Sequence, residues 1–322
     1  METKQADMAG NGYLGYGGVQ AALAVAGRNA YVTFQHGEAA YGRASIWLRN
    51  LNEITMPERA FTAVGALIAG LVMGGLFDPA TIIFGALAMI AVYCAGAVYN
   101  NIKDIEADKI NDASRPLANG SMSVGFAWSL MALLICGGMA LAFSASPILA
   151  AACFAEVVMG VVYSKVTKGM GVLSYATLVT THMAIPFTAG QLISGALGFQ
   201  TLVIVGFFFI TEVLAVSIKD YKDVEGDRKT GLRTLPIMMG AGNASRVTFV
   251  GLCLPLVLSW IPFVLFHLSW VFITMYLVIG IARAAIGRRL MEDQSPREAG
   301  NILKSFRLIT TLEMMAWCLS WI

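Results

Sequence analysis

The sequence predicts an all-α integral membrane protein, a bundle of about nine transmembrane helices carrying a parallel internal repeat. Three observations predict it. The 322 residues are 57% hydrophobic and only 13% charged, with a mean hydropathy of +0.69, whereas a soluble domain carries about 25% charge. Apolar runs close to the length of about 20 residues that a hydrocarbon core requires recur from residue 59 to the end. All 22 Lys and Arg fall in the N-terminal region or in alternate connections between those runs.

Residues 1–45 are Gly-rich, with GYLGYGG near the start and one apolar run, Val19 to Ala26, that is too short to cross a bilayer. Its flanks lack the basic start and cleavage pattern of a signal peptide. The segment reads as a mobile cytoplasmic extension, and residues 46–322 as the transmembrane domain. The candidate spans run 59–77, 80–101, 124–144, 147–164, 171–195, 200–219, 246–267, 269–286 and 301–322. The pair Pro255 and Pro262 predicts a kink in the seventh. Cys94, Cys136, Cys153, Cys253 and Cys318 lie in apolar runs without metal-ligand spacing and read as packing residues.

Orientation follows from the basic residues. Five lie at or before Arg59, three between spans 2 and 3, two between 4 and 5, six between 6 and 7, and six from Arg283 to Arg307. The connections near 78–80, 145–147, 195–200 and 267–270 hold none. The positive-inside rule then puts the N-terminus and the long polar loops in the cytoplasm. The net charge of +2 gives no reason to expect a nucleic-acid partner.

The stretch that organises the chain is NNIKDIEADKINDASRPLANG, Asn100 to Gly120. It sets Asn100, Asp104, Asp108 and Asp112 at a spacing of four, one stripe of a helix. Like charges at that spacing repel by a few tenths of a kcal/mol per pair, so the stripe calls for a cation. Asp104-Ile-Glu-Ala-Asp108-Lys109 returns 119 residues later as Asp223-Val-Glu-Gly-Asp227-Arg228, and Lys103-Asp104 is echoed by Lys219-Asp220. The two stretches close spans four apart, so they share one membrane face, as a parallel repeat requires. Carboxylates suit Mg2+ held by one or two of them, with substrate phosphate oxygens completing the shell. Arg115 after the first cluster, and Arg228, Lys229 and Arg233 after the second, are phosphate-gripping residue types. A third loop adds Tyr163, Ser164, Lys165 and Lys168. The plainer alternative is that these loop charges pair with one another and with lipid headgroups.

On these residues the chain resembles the UbiA superfamily of intramembrane prenyltransferases, over nearly its whole length after residue 45. The family's Asn-x-x-x-Asp-x-x-x-Asp pattern after its second helix is matched by Asn100, Asp104 and Asp108, followed by Arg115-Pro116-Leu117. Its Asp-x-x-x-Asp pattern after the sixth helix is matched by Asp223 and Asp227, with Asp220 one turn earlier. Its middle loop is similar to Tyr163, Ser164 and Lys168. Asn101 departs from the family, many members having Asp there. The resemblance implies nine helices around a central cavity open to the bilayer, an allylic prenyl diphosphate as donor and Mg2+ as cofactor. It also implies a metal set of Asn100, Asp104, Asp108, Asp220, Asp223 and Asp227, with Tyr163 and Lys168 beside the reacting diphosphate. Metal ions and basic side chains would neutralise the departing pyrophosphate, and an acceptor would capture the allyl cation in a water-poor cavity.

Ionisable residues within spans are costly in lipid and should face the cavity. Glu156 lies two turns before Tyr163, Glu212 two turns before Asp220, and His182 beside Thr180, Thr181 and Pro186. Each reads either as a group for acceptor binding or proton removal or as a neutral, hydrogen-bonded packing residue, and Glu313 as structural or lumen-adjacent. Asn52, Glu53 and Arg59 resemble the family's acceptor-side segment, although the order Pro57-Glu58-Arg59 departs from its Arg-Pro. Trp128, Phe207, Phe208, Phe209 and Trp260 could line a tunnel or belt the membrane. The expected activity is prenyl transfer to an aromatic or lipid-like acceptor among membrane lipids. The alternatives are a membrane terpene cyclase of the same superfamily, with no separate acceptor, and, more remotely, a cation transporter.

Overall fold

The computed structural model describes residues 44–321. The extension expected over 1–45 therefore lies, but for its last two residues, outside the described residues. Residues 44–51 are helical and fall in a separate unit from Asn52–Ile322, which forms one compact body.

The body is helical throughout, with no strand among the described residues. In lipid every backbone polar group must be satisfied internally, and long apolar runs meet that demand as helices. The principal ones are α1 (Phe61–Met73), α2 (Pro79–Lys103), the short α3 (Ile105–Asn111), α4 (Val124–Ala145) and α5 (Pro147–Val162). Then follow α6 (Val172–Val179), α7 (Ile185–Ile193), α8 (Phe199–Glu212), α9 (Val224–Lys229), α10 (Leu235–Met239), α11 (Ala241–Leu258), α12 (Trp260–Leu265), α13 (Trp270–Glu292) and α14 (Pro296–Leu319). Three starts share one device, a capping side chain followed by proline. Asp78 accepts from the Thr81 N–H at 2.8 Å, Ser146 from that of Ile148 at 3.2 Å and Ser295 from that of Glu298 at 3.3 Å. Proline at the next position wastes no donor, because the first helical N–H groups have no partner within the helix.

Among the described residues seven helices are long and apolar enough to cross a membrane, and the chain is a multi-pass integral membrane protein. The other two expected spans are also helical. Residues 172–193 form α6 and α7, joined by the π-helical turn Thr180–Ala184. The last span starts earlier than expected, at Pro296, and carries Arg297, Glu298, Lys304, Arg307 and Glu313, which lower its hydropathy. The helix expected over 246–267 is interrupted at Ser259, between Pro255 and Pro262.

Large apolar side chains such as Leu202 and Leu133 point outward, 72% and 69% exposed, as lipid-facing positions do. Inside, α2 packs along α4, α11 along α13, and α1 along α7. The α1–α7 crossing is close because both helices present glycine. A Cβ on Gly190 would stand 2.5 Å from the Leu67 carbonyl oxygen, and one on Gly70 2.3 Å from that of Phe187. The Gln191 amide donates across this crossing to the Gly70 carbonyl at 2.7 Å. Phe207 and Phe208 pack with Phe272, Tyr276 and Trp317 in the largest apolar cluster, whereas Trp128 and Trp260 face outward. All five cysteines are free.

A charged cluster sits inside the bundle. Arg283 of α13 is fully buried and donates to Glu212 at 2.6 Å, Glu313 at 2.5 Å, and the carbonyls of Leu252 and Thr211. It thereby ties α8, α11, α13 and α14 together. Removing one partner from a buried ionic group costs about 3–5 kcal/mol, because the other charges stay buried without compensation. Arg283→Met is therefore expected to lower the melting temperature of the detergent-solubilised protein sharply. Replacing all three members by neutral residues of similar size should recover much of the loss, and a thermal unfolding series compares the two.

Candidate active site

The helical bundle encloses a cavity of about 260 Å³. At one end its wall is made by the two acidic stretches. The stripe is not one straight helix, since α2 ends at Lys103 and α3 begins at Ile105. The register survives the break, because the N–H groups of Asp104, Asp108 and Asp112 each bond to the carbonyl four residues earlier at 2.7–2.9 Å. In the second stretch a 3-10 turn, Ala215–Asp220, precedes α9. The two short helices α3 and α9 pack on one another. The contact is made at Gly226, whose N–H donates to Asn111 Oδ1 at 2.8 Å and whose missing Cβ would lie 2.3 Å from Asn111 Nδ2.

Asn100, Asp104, Asp108, Asp220, Asp223 and Asp227 all line the cavity, as do Arg115, Tyr163, Ser164 and Lys168. The carboxylates are held apart by cations. Lys168 donates to Asp104, Arg115 to Asp108 at 3.0 Å, Lys219 to Asp220 at 2.5 Å, and Lys222 to Asp223. Asn100 donates to Asp104 at 2.7 Å and accepts from Ser164 at 3.4 Å. Tyr175 donates to Asp220 at 2.6 Å and accepts the N–H of Leu235, which anchors the loop after α9. The Lys219 ammonium lies over the rings of Tyr163 and Tyr175, 5.7 and 5.6 Å from their centroids.

Asp227 alone of these aspartates has no side-chain partner among the described residues. Burial, together with the charges of Asp223 and Asp220, pushes its carboxyl up to about 7. Burial pushes Asp108 up to about 6 against the opposing pull of Arg115. Burial also holds the Lys222 amine below its usual range despite Asp223. No group of three His, Cys, Asp or Glu forms a ready metal cage among the described residues.

The remaining expected residues divide. Arg59, Glu156, His182 and Glu212 line the same cavity, further from the acidic end along the spans. Lys165, Arg228, Lys229, Arg233 and Asn52 are exposed and lie outside its lining. Lys229 pairs instead with Glu225 at 2.8 Å. Asn101 turns from the cavity and donates to the carbonyls of Ile54 and Ala97. His267 takes a left-handed backbone after α12, at φ 51°. The cavity also recruits residues that sequence reasoning did not assign to it: Lys222, Arg307, Tyr93, Glu58 and Asn111. For Lys222 the signal was available, as it stands beside Asp223. Arg307 was visible only as one of several charged residues in the last span.

The cavity is acidic and basic at one end, and further along apolar side chains share its wall with Arg59, Glu156, His182 and Arg307, an arrangement that fits an intramembrane enzyme. The chain belongs to the UbiA prenyltransferase family, whose profile matches residues 60–310. It is 29% identical to the digeranylgeranylglyceryl phosphate synthase of Methanoculleus marisnigri over 218 residues, 65% of this chain and 75% of that one. To the enzyme of the same name from Natronomonas pharaonis it is 27% identical over 267 residues, covering 78% and 91%. Among solved structures, a UbiA homolog from Archaeoglobus fulgidus bound to GPP and Mg2+ shares the fold, with a TM-score of 0.63 at 19% identity, covering 83% of this chain and 98% of that one.

A carboxyl raised above its unfolded value makes the folded state the better proton binder, so stability falls as pH rises through the folded value. For Asp108 and Asp227, at about 6 and 7, the window runs from the ordinary carboxylate range to just above neutrality. With chelator present, melting temperature is expected to fall from pH 5 to pH 8, and Asp227→Asn should flatten the upper half of that slope. A profile in Asp227→Asn identical to wild type would remove Asp227 as its source.

Proposed function

We propose that the protein transfers a prenyl group from an allylic prenyl diphosphate to the hydroxyl of a glyceryl-type lipid, with Mg2+ as cofactor. The observation that carries the reading is the meeting of both acidic stretches with Arg115, Lys168 and Lys222 at one end of a cavity in the helical bundle. The acceptor class is supported by the shared name of the relatives, digeranylgeranylglyceryl phosphate synthase.

The donor set fits Mg2+. It is built of carboxylate oxygens, Asp227 among them has a free side chain, and Mg2+ typically takes one or two carboxylates plus substrate phosphates rather than a protein cage. Asn100, Asp104, Asp108, Asp220, Asp223 and Asp227 would hold it, and when bound it supplies positive charge against the departing pyrophosphate. Arg115 presents a planar fork to phosphate oxygens, and Lys168 and Lys222 present point charges. When diphosphate enters, these cations exchange a carboxylate partner for a phosphate one, so charge stays balanced in a poorly hydrated site. Met89, Val92, Met183, Leu303 and Phe306 supply apolar wall beyond the acidic end and would keep water from the allylic carbon as its C–O bond breaks. Exposed Lys165, Arg228, Lys229 and Arg233 would serve at most to draw the anionic head toward the membrane face.

The asymmetry of basic residues supports a cytoplasmic N-terminus and cytoplasmic site loops, with residues 46–322 acting as the transmembrane domain and 1–45 as its extension.

Incubation of the purified protein with C10 to C20 allylic diphosphates, Mg2+ and a panel of glyceryl and aromatic acceptors should yield a prenyl ether, read by mass spectrometry. Cyclised product from donor alone would sink the transferase reading in favour of a cyclase. Asp104→Ala and Asp227→Ala should each abolish Mg2+-dependent turnover in folded protein. Arg115→Ala should weaken pyrophosphate binding by roughly tenfold or more, the scale of a charge-assisted hydrogen bond; an unchanged inhibition constant removes it from the diphosphate site.

A further inference from the structure

We infer that Tyr93 and His182 form the proton-accepting pair for the acceptor hydroxyl, Tyr93 touching the substrate and His182 acting through it. The inference rests on the proposed reading that the acceptor reacts through a hydroxyl. Ether formation from an alcohol must release a proton, and a group in the apolar part of the cavity has to receive it.

Three features of the pair fit that task. Both residues line the cavity, and they come together from α2 and the Thr180–Ala184 turn, 89 residues apart, with the Tyr93 hydroxyl bonded to His182 Nε2 and the rings edge to face at 4.8 Å. The other ring nitrogen, Nδ1, lies 2.7 Å from the carbonyl oxygen of Leu178. A carbonyl only accepts, so Nδ1 carries the hydrogen, and Nε2 is the bare nitrogen that accepts from the Tyr93 O–H. This is the tautomer a relay needs. The backbone that sets it is a π-helical turn, a wide turn often found at functional sites.

Position completes the case. Tyr93, Asn100 and Asp104 line the cavity from the same side of the chain, with Tyr93 two turns, about 10 Å, before Asn100. That interval accommodates a diphosphate head and an attacking hydroxyl between the acidic end and the phenol. The charged and titratable groups acting on the pair are Arg59, Arg307, Glu156 and Tyr163. The two guanidiniums are suited to hold an anionic portion of the acceptor beside Tyr93.

The step balances. As the allylic C1–O bond breaks, its electron pair leaves with pyrophosphate, and a lone pair of the acceptor oxygen forms the new C–O bond. The acceptor O–H proton passes to the Tyr93 oxygen while the phenolic proton passes to His182 Nε2. The relay runs backward when pyrophosphate takes the proton and departs.

The competing base is Glu156, whose buried Oε1 has no hydrogen-bond partner among the described residues. The test compares Tyr93→Phe, His182→Gln and Glu156→Gln in the full-length protein with Mg2+, a prenyl diphosphate and a glyceryl lipid. Two quantities are read: the rate of prenyl ether formation and the affinity for the prenyl diphosphate. Tyr93→Phe keeps the ring and loses the proton path, so ether formation should fall on the order of 10²–10⁴-fold. Affinity for the prenyl diphosphate, which is held at the acidic end away from the phenol, should stay within about threefold, which a folding defect would not allow. A fluorinated acceptor with a more acidic hydroxyl should regain most of the lost rate in both Tyr93→Phe and His182→Gln. Retained ether formation in Tyr93→Phe, or loss confined to Glu156→Gln, overturns the pair while leaving the proposed function standing. No ether from wild type under any acceptor overturns both.

Discussion

Five carboxylates crowd one end of a bundle that lipid surrounds, and the structure is arranged around keeping them there. Like charges in a poorly hydrated site repel far more strongly than in water. Four of the five are matched by a cation: Lys168 on Asp104, Arg115 on Asp108, Lys219 on Asp220 and Lys222 on Asp223. The fifth, Asp227, is left to hold its proton near neutrality. Such a site is a set of exchangeable partners rather than a rigid cage. In the proposed reading, an incoming diphosphate and its divalent cations enter by swapping contacts, which limits the net charge added to the interior. The scaffold beneath it is stiff where the charges are not, since the Asn111–Gly226 contact fixes one acidic helix on the other.

The same rule governs the interior elsewhere. Lipid-facing surfaces carry leucine, valine and phenylalanine, and the fully buried Arg283 is compensated by Glu212 and Glu313. Glu212 joins the two regions: it accepts from Arg283 on one oxygen and contributes to the cavity wall. The structural core and the chemical cavity therefore share a residue, and changes on the α13–α14 side can reach the site through it.

Much of this could be read in the sequence, for identifiable reasons. The spacing of four through Asn100, Asp104 and Asp108 is local, and a helix converts it directly into a common face, even across the break at Asp104. The second stretch repeats the device, so both halves of the polar end could be placed. Neighbouring charges were harder. Arg228 adjoins Asp227 in sequence, but successive helical residues point about 100° apart, and Arg228 faces out while Asp227 faces in. Arg307 and Tyr93 reach the cavity from remote spans, and only tertiary packing brings them there. The pairing of Tyr93 with His182 spans 89 residues, and no local pattern announces it. Counting spans met a similar limit: hydropathy distinguishes helices that touch lipid, whereas 172–193 and α14 turn much of their surface to protein and keep polar residues accordingly.

The two π-helical turns, Tyr163–Thr167 and Thr180–Ala184, have a consequence of their own. The first closes α5, since the backbone leaves the helix at Lys168, whereas the second lies between α6 and α7 and is equivalent to one residue inserted into an ordinary helix, so it shifts the angular phase of α7 relative to α6 by about 100°. His182 lies in that turn and bonds to Tyr93 of α2. A helix of ideal pitch through the same residues would keep every side chain and lose the convergence. In this protein, the wall of the cavity depends on where the winding is irregular as much as on which residues are wound.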